Sequence, residues 1–186
     1  ERVRSVVLAT GEAPDPAWLR TFRKRLHGTP VKVIVQPAFG YVSELALDGG
    51  SLRRRVMDGI MELLNEARHD DCLIWAHNLG LGRNLYLARE LTFTCHCAGP
   101  PLLMHHHDWW FENRWHHFAA MREPGFRKLD AVASAVLAGS PRICHAAINQ
   151  TDAEVLGKHF PGLSGWLPNP VESAAPPSPT RVRAAR

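Results

Sequence analysis

The chain has 186 residues, 45% of them hydrophobic and 22% charged, which is typical of a globular domain with one sizeable core. Its net charge of +4 comes largely from Arg181, Arg183 and Arg186, and no basic stripe is interleaved with aromatic residues. We therefore do not expect nucleic-acid binding. No run of about 18 apolar residues predicts a membrane span, and the first residues do not form a signal peptide.

These features predict a cytoplasmic protein. Its basic tail could make a weak peripheral contact with the inner face of a membrane. Four cysteines are present without paired spacing, so we expect them to be reduced.

The first half of the chain alternates between strand and helix patterns. Val3–Ala9 predicts the first strand. Asp15 is a helix N-cap candidate, with Pro16 at the first helical position. Val31–Val35 predicts the second strand, and Ser51 is expected to cap a long amphipathic helix.

The middle of the chain brings polar residues to the ends of two predicted strands. Cys72–Ala76 is the third strand and leads into His77-Asn78. Asn84 is expected to cap the next helix. Pro101–Met104 is the fourth strand, and it leads directly into His105 to Asp108.

The last part of the domain repeats this alternation. A helix over residues 129–137 precedes the fifth strand, Ile143–Ile148, which ends at Asn149. Thr151 and Glu154 predict a capping box, and Gly165–Leu167 is a short last strand.

Strands separated by helices predict a doubly wound, mostly parallel, Rossmann-like α/β sheet over residues 1–172. Residues 173–186, rich in Pro, Ala and Arg, are expected to form a linker or tail. Ligands of such sheets bind outside the carboxyl ends of the strands. That edge is where His77-Asn78, the histidine run and Asn149 are expected.

Consecutive histidines His105-His106-His107, with Asp108 and the later pair His116-His117, raise the hypothesis of a zinc or iron site. Neighbouring residues of a strand face opposite ways, so three consecutive histidines are poorly placed around one ion. We expect no catalytic metal, and a hydrogen-bonding or acid–base role for one or two of these histidines. The alternative is that they bind only loop backbone and water.

An aromatic-rich segment follows the histidines. Trp109-Trp110-Phe111 and Trp115 surround charged Asp108 and Arg114. Aromatic faces suit sugar rings, and charged groups can bind hydroxyls. The alternative, expected for at least two of these rings, is that they cover the edge of the sheet as part of the core.

The segment from His77 to Asn84 is a strand-to-helix loop with glycines at 80 and 82 only. It lacks the G-x-G-x-x-G pattern and a suitably placed acidic residue, so a dinucleotide site is rejected. No P-loop or G-x-S-x-G elbow occurs. His77, Asn78 and Arg83 are candidates for substrate contact; the alternative is a structural turn.

These motifs, in this order, resemble a known family. The ordered set is His77-Asn78 with Asn84, His107-Asp108, Asn149-x-Thr151-Asp152 and Leu167-Pro168-Asn169-Pro170. Over residues 31–172 it resembles the N-terminal domain of family-4-like retaining glycosyltransferases of the GT-B type. The resemblance implies one half of a two-domain enzyme that transfers a sugar from a nucleotide-sugar donor to a hydroxyl acceptor, without a metal cofactor.

The resemblance also implies residue roles. His107 would approach the transferred sugar, and Asp108 would orient that loop or bind a hydroxyl. The acceptor, such as a glycan, a lipid-linked sugar or a small molecule, would be bound by substrate-binding residues. These are His77, Asn78, Arg83 and Asn84, with Arg114 and Asn149 as further candidates.

The chain departs from the family in two places. Against the family pattern, the opening strand and its glycine-rich loop are missing, since the chain starts close to what would be the second strand. The donor-binding C-terminal domain with its paired glutamates is also not in this sequence. We expect the chain alone to lack donor binding and turnover. Two alternatives remain open, a metal-dependent hydrolase that uses the His/Asp cluster and a non-catalytic carbohydrate-binding module.

Overall fold

A computed structural model describes residues 3–42, 45, 49–67, 71–97, 99–110 and 125–169. The strands are β1 (Val6–Thr10), β2 (Val31–Val35), β3 (Ile74–His77), β4 (Leu102–His106), β5 (Ile143–Ala147) and β6 (Ser164–Trp166). The helices are α1 (Pro16–Arg25), α2 (Gly49–Glu66), α3 (Leu85–Cys97), α4 (Leu129–Val136) and α5 (Gln150–His159). The predicted alternation of strands and helices is confirmed.

All strand pairs among the described residues are parallel, as predicted. β1 pairs with β2, and β3, β4, β5 and β6 pair in chain order. The hydrogen-bonded strands therefore form a two-stranded and a four-stranded sheet rather than the single sheet expected. The architecture is α/β with parallel sheets, consistent with a Rossmann-like fold.

One core lies between the four-stranded sheet and the helices α2, α3 and α4. Its members are alternate residues of β3 and β4 and the apolar stripes of the helices, among them Ile74, Ala76, Leu102, Met104, Val56, Ile60, Leu91 and Val132. Alternation along a strand sends every second side chain to the opposite face of the sheet. There Trp75 is more than half exposed and His77 is exposed.

Helix starts follow local capping signals, with two corrections. Asp15 caps α1 as predicted, since its Oδ1 accepts from the Trp18 backbone N–H at 2.7 Å. Helix α2 begins at Gly49, two residues before the predicted cap Ser51. The capping box at Thr151 is wrong, because Asn149 caps α5.

Strand bounds shift where pairing with a distant strand decides them. The fourth strand was expected to end at Met104. β4 instead continues through His105 and His106, because these residues pair in register with Ala146 and Ala147 of β5. The first strand starts later than expected, at Val6, because its register partner begins at Val31. Two of the predicted histidines thus belong to the sheet.

No helix among the described residues is long and apolar enough to cross a membrane. The predicted linker, residues 173–186, lies outside the described residues, as do Arg114 and the pair His116-His117.

Candidate functional site

Asn78 joins the loops that follow β3 and β4. Its backbone is left-handed (φ 59°, ψ 30°), a conformation that asparagine tolerates better than most residues. Its Oδ1 accepts from the backbone N–H groups of His107 and Asp108 at 3.1 and 3.0 Å. Its Nδ2 donates to Asp108 Oδ2 at 3.0 Å. The structure thus brings His77-Asn78 and His107-Asp108 together at the carboxyl edge of the sheet.

Gly80, in the same loop, is required by packing. A Cβ at this position would stand inside contact distance of His106 Nδ1. The Gly80 carbonyl accepts from the Trp110 backbone N–H at 2.9 Å. Packing against His106 and the bond to Trp110 therefore account for the glycine at position 80.

Three histidines form a cluster on the open face of the sheet, here called the outer cluster: His77, His105 and His107. His77 and His105 are directly paired in the β3–β4 register, and His107 lies two residues beyond His105 on the same side. Ring centroids are 4.1 Å apart for His77 and His107, and 4.6 Å for His105 and His107. One ring nitrogen from each of the three lies within 4.8 Å of the others.

Two members of the outer cluster, His77 and His107, favour the uncharged imidazole. Burial, and then the neighbouring His105, lowers the pKa of His77. Burial also lowers the pKa of His107, as do His77 and His105, while Asp108 opposes the shift. Neutral imidazoles carry a lone pair on one nitrogen, which can accept a hydrogen bond or ligate a metal ion.

His106 faces the core and belongs to a separate pair with His145, here called the inner pair. His106 Nε2 lies 3.0 Å from His145 Nδ1, and His145 Nε2 lies 3.0 Å from the Ala138 carbonyl. The pair is sealed by stacking on Trp109 and Phe160. Burial, followed by the nearby histidines, lowers the pKa of His106 to about 3. The expectation that three consecutive histidines do not converge is confirmed.

Two aromatic residues of the expected sugar-binding segment are core residues. Trp109 and Trp110 are only 5% and 8% exposed. Trp109 Nε1 donates to Asp152 Oδ2 at 2.8 Å, which holds its ring against His106. The alternative expectation, core coverage by at least two rings, is therefore confirmed. Phe111 and Trp115 lie outside the described residues.

Asn84 is a buried tie between a loop and a helix. Its Nδ2 donates to the carbonyls of Ala38 and Gly40, both at 2.8 Å. Its Oδ1 accepts from the Leu87 N–H at 3.0 Å, which confirms the predicted cap of α3. These bonds occupy the Asn84 side chain, which holds the loop that follows β2. A structural role therefore accounts for Asn84 better than substrate contact does.

Arg83 and Asn149 lie in two other loops of this edge. The exposed Arg83 places its guanidinium carbon 5.1 Å from the centroid of the Tyr41 ring. Asn149 Oδ1 accepts from the Asp152 N–H, and Asn149 Nδ2 donates to Asp152 Oδ2, both at 2.8 Å. The Asn149 side chain is thus engaged in capping α5, whereas Arg83 remains at the surface.

Two contacts of the outer cluster were missed from the sequence. His105 Nε2 lies 2.8 Å from the Leu167 carbonyl, and His107 Nδ1 lies 3.4 Å from Asn169 Nδ2. The sequence predicts Leu167 as the end of the last strand and Pro168-Asn169-Pro170 as part of the family-like motif set, without a contact to the histidines. The position of Pro168-Asn169-Pro170 directly after a predicted strand was the available signal, because parallel strands end at a common edge.

A groove between α2 and α3, lined by Arg53, Met57 and Phe93, lies on the helical layer and contains no predicted site residue.

No protein-family model matches the chain, and comparisons with curated proteins and with solved structures find no similar protein.

Proposed function

We propose that this chain is the acceptor-side domain of a retaining glycosyltransferase that moves a sugar from a nucleotide-sugar to a hydroxyl acceptor. One observation carries the proposal. The two motifs that resemble the family, His77-Asn78 and His107-Asp108, are 30 residues apart in sequence and are joined by the Asn78 side chain. They lie at the edge of a parallel sheet where ligands bind.

Each of these side chains has a role in the proposed transfer. Asn78 holds the backbone of residues 107 and 108, so His107 would face the transferred sugar from a fixed position. Asp108 engages Asn78 through Oδ2, and its other carboxylate oxygen would accept from a sugar hydroxyl. Transfer of this kind depends on positioning and on stabilising charge at the diphosphate leaving group.

Arg83 would contribute on the acceptor side. Its guanidinium is exposed beside Tyr41, and an aromatic ring with an adjacent cation suits a sugar face with hydroxyl or anionic substituents. Asn84 and Asn149 would act indirectly, by holding the loops that carry these groups.

The proposal is tested by sugar transfer in the longest natural chain that contains this domain, with a panel of nucleotide-sugars. His107→Ala is expected to lower kcat by about 100-fold or more, the scale of losing a positioned polar group. His159→Ala, on the exposed end of α5, is the matched control and should leave kcat unchanged. Wild-type rates in a folded His107→Ala protein would remove His107 from the mechanism.

The metal-dependent hydrolase is a second candidate, because the outer cluster brings three imidazole nitrogens together. Catalytic zinc sites commonly combine three protein ligands with one open position. Hydrolysis of ester or phosphoester substrates that a chelator abolishes and zinc restores would select it. Glycan binding by the longest natural chain with neither transfer nor hydrolysis would select the third alternative, a non-catalytic module.

A further inference from the structure

We propose that His77, His105 and His107 form a binding site for a divalent transition-metal ion of the zinc class. The proposal rests on the geometry of this chain. It shares His77 and His107 with the proposed sugar transfer, but its test measures metal binding and not transfer. It extends the sequence argument in one respect. The ligands are not three consecutive histidines, but His105 of β4, His107 just after the end of that strand, and His77, which pairs with His105 from β3.

His105 is the fixed ligand of the site. It is 2% exposed, and its Nδ1 is buried without a hydrogen-bond partner among the described residues. Its Nε2 lies 2.8 Å from the Leu167 carbonyl. A carbonyl only accepts, so Nε2 carries the proton and Nδ1 keeps its lone pair for a ligand. Metal-binding histidines commonly donate their other ring N–H to a backbone carbonyl in this way.

His107 is the second ligand. Its Nε2 is also buried and has no hydrogen-bond partner among the described residues, and its Nδ1 lies 3.4 Å from Asn169 Nδ2. An amide nitrogen donates, so in this placement Nδ1 accepts and Nε2 carries the proton. Metal binding through Nε2 therefore requires the Asn169 amide to turn its oxygen toward Nδ1; nitrogen and oxygen of an amide are assigned from the hydrogen-bond network. Buried nitrogens without partners are costly, and a cation bound by His105 Nδ1 and His107 Nε2 would satisfy both.

His77 would complete the site by a small movement. Zinc–nitrogen distances of about 2.0–2.1 Å put tetrahedral ligand nitrogens about 3.3 Å apart. The present nitrogens lie within 4.8 Å of one another, so the set must contract. His77 is exposed and free to change rotamer, whereas His105 is held by the sheet and by Leu167.

The chemistry of the donors selects the class of ion. Imidazole nitrogen suits zinc, cobalt and nickel, whereas magnesium and calcium require oxygen ligands. Asp108 adds a nearby negative charge, since it raises the pKa of His107 through space. A three-nitrogen site also leaves a coordination position open to solvent or to a substrate.

The test is calorimetric titration of the untagged, chelator-treated chain with Zn²⁺ and, separately, Co²⁺, without donor or acceptor. We expect one ion per chain and a Co²⁺ spectrum of nitrogen coordination without thiolate bands. Thiolate bands would indicate that the ion binds the exposed Cys97 or Cys144 instead. His77→Ala should weaken binding by at least about 100-fold, because loss of partners outside the ligand sphere alone costs 10–100-fold. His159→Ala should bind as the wild type does.

Two results would overturn the proposal: no saturable binding of either ion by the wild-type chain, or undiminished binding by His77→Ala. A second variant, His107→Gln, guards against a folding defect and should show the same loss. Far-UV circular dichroism and the Tm of each metal-free variant establish that it is folded. Loss of transfer activity in the parent enzyme plays no part in this test, so either proposal can fail alone.

Discussion

Strand β4 carries histidines on both faces, and the two faces treat the same side chain in opposite ways. On the core side, His106 is stacked between Trp109 and His145, and its Nε2 contacts His145. On the open side, His105 and His107 face His77, and each has a ring nitrogen without a hydrogen-bond partner among the described residues.

The difference teaches how a run of one residue type divides between structure and function. One hydrogen bond joins His106 to His145, another joins His145 to the Ala138 carbonyl, and aromatic rings cover the pair. The inner pair therefore serves mainly to pack the core. His106 Nδ1 also lacks a hydrogen-bond partner among the described residues, but it is packed against Gly80. The outer cluster instead brings one nitrogen from each of three histidines within 4.8 Å of the others. Only the outer cluster is therefore a candidate site.

The largest effect expected from the inner pair is acid sensitivity. The pKa of His106 is about 3 in the folded chain, below the value of about 6.5 in an unfolded one. Between these values the unfolded chain binds the extra proton, so stability rises with pH up to about 6.5 and is flat above. One such group gives about 1.4 kcal/mol per pH unit, or about 3 kcal/mol between pH 6.5 and pH 4.

Denaturant unfolding at several pH values checks this slope. His106→Phe keeps the aromatic stack and removes the titrating group, so its stability should depend less on pH in that window, although it will be lower at neutral pH. The remaining slope comes from the other histidines whose pKa is lowered by burial, which are His145, His77 and His107. An equal slope in wild type and variant would assign the acid sensitivity elsewhere.

Gly80→Ala should produce the next largest effect, because the added Cβ meets His106 Nδ1 in the sealed inner region. Overpacking of this kind costs about 2–3 kcal/mol of unfolding free energy. Gly165→Ala is the matched control, since nothing lies within contact distance of a Cβ there, and its change should stay within about 0.5 kcal/mol. Equal Tm losses in the two variants would contradict the packing argument.

Local sequence signals were sufficient to predict the elements whose bounds depend on their own residues. The strand Val31–Val35 and the Asp15 cap are found where the sequence placed them. Pairing with a distant strand decided the rest. β4 runs on to His106 because Ala146 and Ala147 lie opposite, and no pattern around Met104 signals that.

The sequence predicts where in the fold the candidate site lies, but not which residues form it. The rule that ligands bind at the carboxyl edge located His77 and His107 correctly. Alternation along a strand separated His106 from its neighbours. The pairing of His77 with His105 and the contact of His106 with His145 depend on register between strands, which one sequence does not encode locally.

Variants of Asn78 test how much the bonds that hold the loop of His107 and Asp108 stabilise the fold. Asn78→Ala removes the bonds to His107 and Asp108 and places alanine, which tolerates the left-handed region less well than asparagine, at this position, so we expect a loss of about 1–2 kcal/mol. Asn78→Gly removes the same bonds without the backbone cost. The difference between the two variants in chemical unfolding measures the strain, and Asn78→Gly alone measures the side-chain bonds. A glycine variant as stable as the wild type would show that the bonds orient the loop without stabilising it.

His77→Ala should have the smallest effect on stability, which makes the variant suitable for separating metal binding from folding. The His77 side chain is largely exposed, and in the metal-free chain partial burial, followed by the neighbouring His105, lowers its pKa, so it contributes little to the folded state. We expect a change within about 0.5 kcal/mol in chemical unfolding without metal. With zinc present, the wild type should gain stability by mass action and the variant should not. A large loss in the metal-free variant would mean that the outer cluster, like the inner pair, is part of the packing, and the contrast between the two faces of β4 would fall.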